Sequence, residues 1–281
     1  MIINTNNFTQ INNNSIKSIG IFDSGLGGIS IYKNLKHNFP NINYYYFGDN
    51  YNSPYGEKTK EEVFNFSIKI IKFFYKMKVD IIIVACNTAS SCLNEFKSKI
   101  NIKVPILGII HFGIYNFLDL NKEDKKCAVI CTSLTKKNNS YNNYLKLKLG
   151  INFNKFIHIS CNKFVSYIEN GIFYDDKLLD LAEYYFKDIK NNFYIKFIIY
   201  GCTHYPLINK VCEEIIYNKF NRHDIKFIDP SDYLVETITQ KISNISNIGT
   251  STFYYSKNDN NFIKNARFIL NEKISINYIN L

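Results

Sequence analysis

The chain has 281 residues, of which 46% are hydrophobic and 21% charged, so it can form one large or two ordinary domains with a packed core. No apolar run is long enough to span a membrane, and the polar N-terminus lacks the apolar segment of a secretory signal, which predicts a cytoplasmic protein without a membrane partner. The net charge of +10 comes from scattered lysines in an Asn-, Lys- and Ile-rich composition typical of AT-rich genomes, so we predict no nucleic-acid partner.

The first half alternates between strands and helices. Residues 1–17 are predicted to be a flexible N-terminal extension. The elements that follow are a strand Ser18–Phe22, a helix to about His37, a strand Asn43–Phe47, a helix Thr59–Lys78, a strand from Ile81 that ends at Cys86, a helix from Thr88 to about Lys99, and a strand Val104–Ile109. Strands that alternate with helices in this way are typical of a parallel sheet.

After a charged break at residues 121–126, the second half repeats this order. The predicted strands are Ala128–Cys131, Phe156–Ile159, Phe197 to Cys202 and Ile225–Ile228, and the predicted helices run to about Leu149, over Phe164–Asn170, over Asp175–Lys190, from Pro206 to about Tyr217, and to about Ile242. Thr252–Tyr255 and Phe268–Leu270 are predicted as short strands. We therefore predict an α/β fold with two similar domains, mostly parallel sheets flanked by helices, and an active site in the cleft between them. Residues 18–110 with 226–281 would form the first domain, and residues 111–225 the second.

Two turns in the first half carry candidate site residues. The first strand runs into Asp23-Ser24-Gly25-Leu26-Gly27-Gly28, which is either an anion-binding turn or a plain tight turn. Asp23, at the strand's end, is suitably placed for acid–base work or for binding a substrate ammonium. The polar loop Gly48–Lys58 is either an active-site loop or a connection.

Two of the seven cysteines end apolar strands and are followed within two residues by a threonine. They are Cys86 and Cys202. A helix N-terminus after such a strand lowers the pKa of a thiol. One such cysteine is usually an inert core residue, but two at the same kind of junction suit proton removal by one thiolate and proton return by a thiol on the opposite face. A redox protein would usually have Cys-x-x-Cys, which is absent.

The other cysteines are not clustered, so we predict free thiols rather than disulfides. Cys127 and Cys131, with His158 beyond them, have the residue types of a zinc site. The run between the two cysteines is apolar, however, and favours a strand in which both are packed core residues. We therefore predict no metal.

Four motifs together resemble the glutamate racemase family. They are Phe22-Asp23-Ser24-Gly25-Leu26-Gly27-Gly28, Pro54-Tyr55-Gly56-Glu57-Lys58, Ala85-Cys86-Asn87-Thr88-Ala89-Ser90 and Gly201-Cys202-Thr203-His204-Tyr205-Pro206. The resemblance extends from about Ile19 to Ile238. It implies a cofactor-independent isomerase that makes D-glutamate for peptidoglycan. The chain departs from the family pattern at His111-Phe112-Gly113, and at Cys131 and Leu134, where glycines are common.

The resemblance also implies the residue roles. Cys86 would take the α-proton from D-glutamate and Cys202 from L-glutamate, with Asp23 and His204 assisting. Residues that would hold the substrate are Asp23, Ser24, Tyr55, Gly56, Asn87, Thr88, Thr132, Thr135, Thr203 and His204. Glu169 is either a further acidic residue near Cys202 or a solvated glutamate at a helix end.

Three points stay open at this stage. The substrate is glutamate, or aspartate in the same chemistry, and a racemase-like regulatory binding protein is the alternative to an enzyme. Residues 1–17 contribute to a site for a UDP-muramyl activator, or they are an unstructured tail. The protein is a monomer or a homodimer.

Overall fold

The computed structural model describes residues 11–13, 15–95, 102–150, 154–243, 246–271 and 276–281. Its strands form two separate parallel sheets, and its helices flank them. This confirms the predicted α/β class with parallel sheets and flanking helices. Among the described residues, no helix is long and apolar enough to cross a bilayer.

The first sheet is built from both ends of the chain. Its strands are β1 Ser18–Asp23, β2 Asn43–Gly48, β3 Ile81–Val84, β4 Ile106–Gly108, β9 Ser251–Tyr255 and β10 Ile276–Tyr278. They are all parallel and lie in the order β10-β9-β2-β1-β3-β4. Every residue of β3 is fully buried, as expected for an apolar, β-branched strand covered on both faces.

The helices that pack on this sheet are α1 Gly28–Asn38, α2 Lys60–Lys76, α3 Asn87–Glu95, α10 Pro230–Ile238 and α11 Asn260–Leu270. α4 Ile109–Leu120 lies between the two sheets, with Ile109 and Phe112 in the core of the first and Ile110, Ile114 and Phe117 in the core of the second. α2 begins at a capping box, in which Thr59 and Glu62 satisfy each other's backbone N–H groups. That local signal explains why its predicted start was accurate.

The second sheet comes from the middle of the chain. Its strands are β5 Lys126–Cys131, β6 Phe156–Ser160, β7 Ile195–Gly201 and β8 Lys226–Ile228, which are parallel and lie in the order β6-β5-β7-β8. Its helices are α5 Ser133–Lys137, α6 Ser140–Leu149, α7 Asn162–Glu169, α8 Asp176–Lys190 and α9 Asn209–Glu213. β8 corrects the predicted division at residue 226, because its register pairs Phe197 with Lys226 in this second sheet.

Three predicted elements differ from the structure, and a fourth is only partly described. The prediction of a strand at Phe268–Leu270 is wrong, since these residues end the amphipathic helix α11, which has Asp259 as its N-cap. Ile109 begins α4 instead of ending a strand. The single helix predicted to Leu149 is two helices, separated at Asn139 with a left-handed backbone at φ 46°. Residues 96–99 of the helix predicted after Cys86 lie outside the described residues.

The helix predicted from Pro206 is irregular. A 3₁₀ turn, Tyr205–Ile208, leads into α9, and a π-helical segment, Glu214–Lys219, follows. Neither the tight 3₁₀ turn nor the wide π-helical turns are visible in a 3.6-residue pattern. Val211 and Cys212, in the regular part α9, lie in the core of the second half.

The end of the predicted N-terminal extension is held against the first sheet. The Ser15 and Ile16 N–H groups both donate to the Lys241 carbonyl, at 3.0 and 2.9 Å, and Ile16 is 1% exposed. The Lys17 N–H donates to Asp80. These contacts correct the prediction of flexibility for residues 15–17, whereas residues 1–10 and 14 lie outside the described part of the chain.

Candidate functional site

The carboxyl ends of the two sheets face each other, and the predicted site residues meet there. Hydrogen bonds join the two halves of the chain at this point. Thr203 Oγ1 donates to Asp23 Oδ2 at 2.9 Å, and the Leu26 N–H donates to Glu169 Oε1 at 3.0 Å. Ligands of open α/β sheets bind at such strand ends. The cluster is therefore a candidate active site built from both sheets.

Cys86 lies two residues beyond β3 and is 5% exposed. Its sulfur lies 3.7 Å from Ser24 Oγ. Burial raises the pKa of the Cys86 thiol well above its usual value, and the charges of Asp23 and Cys202 add to this, while hydrogen bonds from the Ala89 N–H and Ser24 oppose it. The predicted lowering of the pKa by the helix N-terminus is thus present through Ala89 but is outweighed by burial.

Cys202 follows β7 directly, is 6% exposed, and is the first member of a chain of three side chains. Its sulfur is 3.6 Å from His204 Nδ1, and His204 Nε2 is 2.6 Å from Glu169 Oε1. Burial acts most strongly on His204 and disfavours its charged form. The contacts with Cys202 and Glu169 nevertheless raise the pKa of His204 well above its usual value.

Glu169 ends α7 and is hydrogen-bonded to members of the cluster. Its carboxylate accepts from both His204 and Leu26, so it belongs to the cluster and is not a freely solvated residue. It also lines an open cleft of about 350 Å³ together with residues 50, 53, 54, 165, 166, 170, 259, 261 and 262. Glu169 therefore lies between the buried cluster and solvent.

Asp23 ends β1 and is fully buried. It accepts hydrogen bonds from the Gly25 N–H at 2.9 Å and from Thr203. Burial raises the pKa of Asp23 above its usual value, although the charge of His204 and these hydrogen bonds work in the opposite direction. Its hydrogen bond with another side chain is therefore made with Thr203, the residue after Cys202, and its link to Cys86 is electrostatic.

Three threonines form one line of hydroxyl groups across the two halves. Thr88 Oγ1 is 2.9 Å from Thr132 Oγ1, which in turn is 3.1 Å from Thr135 Oγ1. Thr132 also caps α5 through the Thr135 N–H. This places a row of buried hydroxyl groups beside the cysteine turns.

Glycines let the two halves approach this closely. A Cβ on Gly25 would collide with Glu169 Oε1, and a Cβ on Gly27 would collide with Thr203 Oγ1 and lie 2.5 Å from His204 Nδ1. On Gly56, a Cβ would lie 2.8 Å from Thr132 Cβ. The glycine-rich turn thus allows contact between the halves, a role that differs from both of those that the sequence suggested.

Three residues that sequence reasoning missed hold site residues in place through hydrogen bonds. The Tyr141 hydroxyl donates to Asn87 Oδ1 at 3.0 Å, and the Tyr46 hydroxyl donates to the Gly25 carbonyl at 2.7 Å. Asp49 accepts from the Tyr55 hydroxyl at 2.6 Å. Asp49 was detectable, because it follows the end of a strand much as Asp23 does. Neither tyrosine carried a local signal in a chain with 22 tyrosines.

Cys127 and Cys131 are fully buried in β5, as core residues would be. Burial lowers the pKa of His158 to about 4, which keeps its imidazole neutral. Across the described residues, no three His, Cys, Asp or Glu side chains are grouped closely enough to hold a metal ion. All seven cysteines lie in the described part of the chain, and none of them is in a disulfide there.

Comparison with known proteins gives a consistent result. The model of the Asp/Glu/hydantoin racemase family matches residues 26–238. A glutamate racemase of Fusobacterium nucleatum is 35% identical over 266 residues, which cover 92% of this chain and 96% of that protein.

Solved structures agree with this match. The glutamate racemase of Campylobacter jejuni is 30% identical, with a TM-score of 0.77 over 90% of this chain and 98% of that chain. The Francisella tularensis enzyme, solved with D-glutamate, is 28% identical, with a TM-score of 0.80 over 95% and 97% of the two chains. The family match extends from β2 to β8 and includes both cysteine turns. It confirms the resemblance: the chain belongs to the Asp/Glu/hydantoin racemase family.

Proposed function

We propose that the chain is a cofactor-independent glutamate racemase that interconverts L- and D-glutamate with two thiols. The observation that carries this proposal is the meeting of Cys86 and Cys202, from two different sheets, in one buried polar cluster. Cys86 and Cys202 contact different side chains, and the charge of Cys202 raises the pKa of Cys86. Removal of a proton on one face and return of a proton on the other requires such an arrangement.

In the proposed reaction, the thiolate of one cysteine takes the α-proton, so that the Cα–H bond breaks and an S–H bond forms. The thiol of the other cysteine then gives its proton to the opposite face of the same carbon. Cys202 starts from L-glutamate and Cys86 from D-glutamate. The carbon loses one proton and gains one, one cysteine changes from thiolate to thiol and the other from thiol to thiolate, and no oxidation state changes. The step therefore balances without an oxidant or a cofactor.

The surrounding residues would stabilise the carbanion-like state. His204, with its pKa raised, can donate from Nδ1 towards Cys202 while Glu169 accepts from Nε2. Asp23 would assist at the other thiol and bind the substrate ammonium. The hydroxyl, amide and backbone groups proposed to hold the two carboxylates are those of Ser24, Tyr55, Gly56, Asn87, Thr88, Thr132, Thr135 and Thr203.

The test is circular dichroism of L-glutamate incubated with the purified protein. We expect the signal to fall to zero, and D-glutamate to reach the same endpoint, because the two enantiomers have equal free energy in water. Activity should survive EDTA and carbonyl reagents, since no metal or pyridoxal phosphate is assigned. Inhibition by EDTA that zinc reverses would contradict the mechanism.

Aspartate is the second candidate substrate, and the same assay separates the two. The curated relatives at 30–35% identity are named glutamate racemases, which favours the longer substrate. We expect clear turnover of glutamate and much slower turnover of aspartate. Tight binding of glutamate without any loss of the dichroism signal would instead favour a regulatory binding protein.

An activator remains part of the proposal. The structure of the Escherichia coli glutamate racemase, which shares the fold, contains L-glutamate and the activator UDP-MurNAc-ala. Deleting residues 1–14 and measuring activity with and without a UDP-muramyl precursor tests whether this chain responds in the same way. Unchanged activity in both conditions would favour an unstructured tail. Sedimentation analysis would distinguish a monomer from a homodimer.

We also propose that the D-glutamate produced is supplied to cytoplasmic peptidoglycan synthesis.

A separate proposal concerns the domains: each sheet, with its helices, forms one domain. The second domain would extend to Ile228, because β8 pairs with β7. The chain then returns to the first sheet through α10, where Asn34 of α1 donates to Ser231 at 2.8 Å.

A further inference from the structure

A second buried carboxylate, Asp49, lies beside the proposed substrate site. It follows the last residue of β2, is 3% exposed, and its N–H donates to the Asp23 carbonyl at 2.9 Å. A buried carboxylate must be fully hydrogen-bonded, because removing it from water is costly. The groups that satisfy Asp49 therefore show what it holds in place.

Asp49 accepts four hydrogen bonds from three side chains. Tyr55 OH donates to Oδ2 at 2.6 Å, and Ser256 Oγ donates to Oδ1 at 2.6 Å. The Asn52 amide donates to both oxygens, at 3.1 and 3.0 Å. The two hydroxyl contacts have the length of charge-assisted O–H···O⁻ bonds, which are stronger than neutral ones.

These bonds fix the segment that carries Tyr55 and Gly56. Tyr55 is 1% exposed, and its ring lies 5.8 Å from the Phe66 ring, so the Asp49 bond sets how far its hydroxyl end can move. The next residue, Gly56, contacts Thr132 so closely that a Cβ would lie 2.8 Å from Thr132 Cβ. A shift of Tyr55 would therefore be transmitted to the line of threonines.

The third donor, Ser256, comes from the far end of the chain, immediately after β9. Its Oγ also accepts from the Tyr51 N–H at 2.9 Å, and its own N–H donates to the Gly48 carbonyl at 3.2 Å. The end of β9 is thereby bonded to both sides of Asp49. The carboxylate joins the C-terminal part of the chain to the loop that begins at Gly48.

We propose that Asp49 is a positioning residue for substrate binding, which acts through Tyr55 and the adjoining Gly56 rather than by touching the reacting atoms. This inference rests on the proposed racemase function. If the loop holds a substrate carboxylate, a displaced loop weakens binding of the ground state and of the transition state together. Such a change raises KM and leaves kcat nearly unchanged.

The test compares Asp49→Asn with the unmodified enzyme in the glutamate dichroism assay. An asparagine keeps the shape of the aspartate side chain but has only one acceptor oxygen. Its NH₂ group would face hydrogen-bond donors that have lost their acceptor. We expect KM for both enantiomers to rise about tenfold, with kcat within about twofold. An unchanged KM would overturn the proposal.

A double-mutant cycle with Tyr55→Phe tests the route of action. If Asp49 acts through the tyrosine hydroxyl, then Asp49→Asn should change KM by less than about twofold in the Tyr55→Phe background. Independent, multiplying effects on KM would overturn the route through Tyr55.

Asp80→Asn is the control for an aspartate with several hydrogen bonds away from the site; Asp80 is exposed, whereas Asp49 is buried. Asp80 Oδ2 also accepts several hydrogen bonds, from the Lys17 and Ser18 N–H groups and from the Ser18 hydroxyl, but Asp80 precedes β3 at the opposite end of the sheet. We expect a lower melting temperature and an unchanged KM. A KM increase in this control equal to that of Asp49→Asn would show a general loss of stability and would overturn the proposal.

Ser256→Ala keeps the test decisive if Asp49→Asn does not fold. It removes one of the three donor side chains and leaves the carboxylate in place, so we expect KM to rise about threefold. An unchanged KM in a folded Ser256→Ala protein would overturn the proposal in that case. Failure of the unmodified enzyme to racemise glutamate would instead reject the proposed function, which distinguishes the two failures.

Discussion

The two cysteine turns have the same plan but different surroundings. Each cysteine follows a parallel strand and is buried, with 5% and 6% of its surface exposed. Cys86 has a neutral hydroxyl group, Ser24 Oγ, at 3.7 Å, whereas Cys202 has an imidazole, His204 Nδ1, at 3.6 Å that is itself bonded to Glu169. In direct contact, one thiol thus has a weak neutral hydroxyl group and the other an ionisable pair, while Asp23 acts on Cys86 only through its charge.

The chain after each cysteine explains the difference. After Cys86 a regular helix, α3, begins at once and directs the Ala89 N–H at the sulfur. After Cys202 a tight turn and the 3₁₀ segment Tyr205–Ile208 follow, with Pro206 near its start. The turn bends the chain so that His204 faces the cysteine two residues before it.

A racemase can use such asymmetry without favouring one product. The two enantiomers have equal free energy in water, so kcat/KM must be the same in both directions for any variant. Differences between the two thiols can then appear only as matched changes in kcat and KM. This constraint makes the comparison of the two turns measurable.

Replacing either thiol should have the largest effect. Cys86→Ala and Cys202→Ala each remove an acid or base that both directions need, so we expect losses of at least about 10²–10⁴-fold, measured by circular dichroism. Cys212→Ala, at a fully buried core cysteine, is the matched control and should lose stability but keep its activity. Substantial turnover by either site variant would refute the two-thiol assignment.

His204→Asn should separate the two directions. If Cys202 takes the proton from L-glutamate, kcat should fall about tenfold further in the L-to-D direction than in the reverse, with KM for L-glutamate falling by the same relative factor. Full progress curves from each enantiomer measure both constants.

Asp23→Asn should show the opposite bias. The bias of Asp23→Asn should be smaller than that of His204→Asn, because Asp23 is bonded to Thr203 as well as coupled to Cys86.

A common factor for both directions in both variants would contradict separate partners for the two thiols. The racemase assignment would survive that result. Only the comparison of the two turns would fail.

Glu169→Gln should change the pH dependence of kcat/KM more than the maximum value of kcat/KM. Glu169 helps to raise the pKa of His204, so the variant should lose protonated His204 at a lower pH. We expect the alkaline limb of the kcat/KM profile to move to lower pH, with roughly tenfold less activity at alkaline pH and little loss below neutrality. Glu214→Gln is the control, because Glu214 accepts from Tyr174 on the surface.

The same variant gives a stability readout with a fixed sign. A histidine whose pKa is raised by folding contributes stability below its unfolded pKa of about 6.5, and this stability is lost as pH rises through the folded value. Thermal melts should therefore depend less on pH in Glu169→Gln than in the unmodified protein. An unchanged alkaline limb together with unchanged melts would contradict the His204–Glu169 pairing.

Much of this site was accessible from the sequence because its signals are local. An apolar run that stops at Cys86 and a glycine-rich turn after Asp23 indicate strand ends, and parallel sheets gather strand ends at one edge. The capping box at Thr59 fixed a helix start in the same way. For these elements, the local residues determine the local structure.

The remaining features depend on contacts between distant residues. The partner of His204 is 35 residues away and that of Thr203 is 180 residues away, and nothing near either residue specifies them. The pKa of Cys86 follows from burial, which outweighs the helix N-terminus that the sequence did indicate. Likewise, β8 joined the second sheet because of pairing with β7, although its short sequence suited either sheet.

Ser24→Ala should have the smallest effect and acts on the opposite turn. Ser24 lowers the pKa of Cys86, so its loss should raise that pKa further and move the acid limb of the kcat/KM profile to higher pH, opposite in sense to Glu169→Gln. A sulfur contact at 3.7 Å is weak, and we expect about a threefold loss of kcat/KM, equal in both directions. Ser67→Ala is the control, because Ser67 is buried and donates to the Val63 carbonyl within α2. Because Cys86 lacks an ionisable pair like His204 and Glu169, a Ser24→Ala effect as large as that of His204→Asn would show that the two turns are energetically alike.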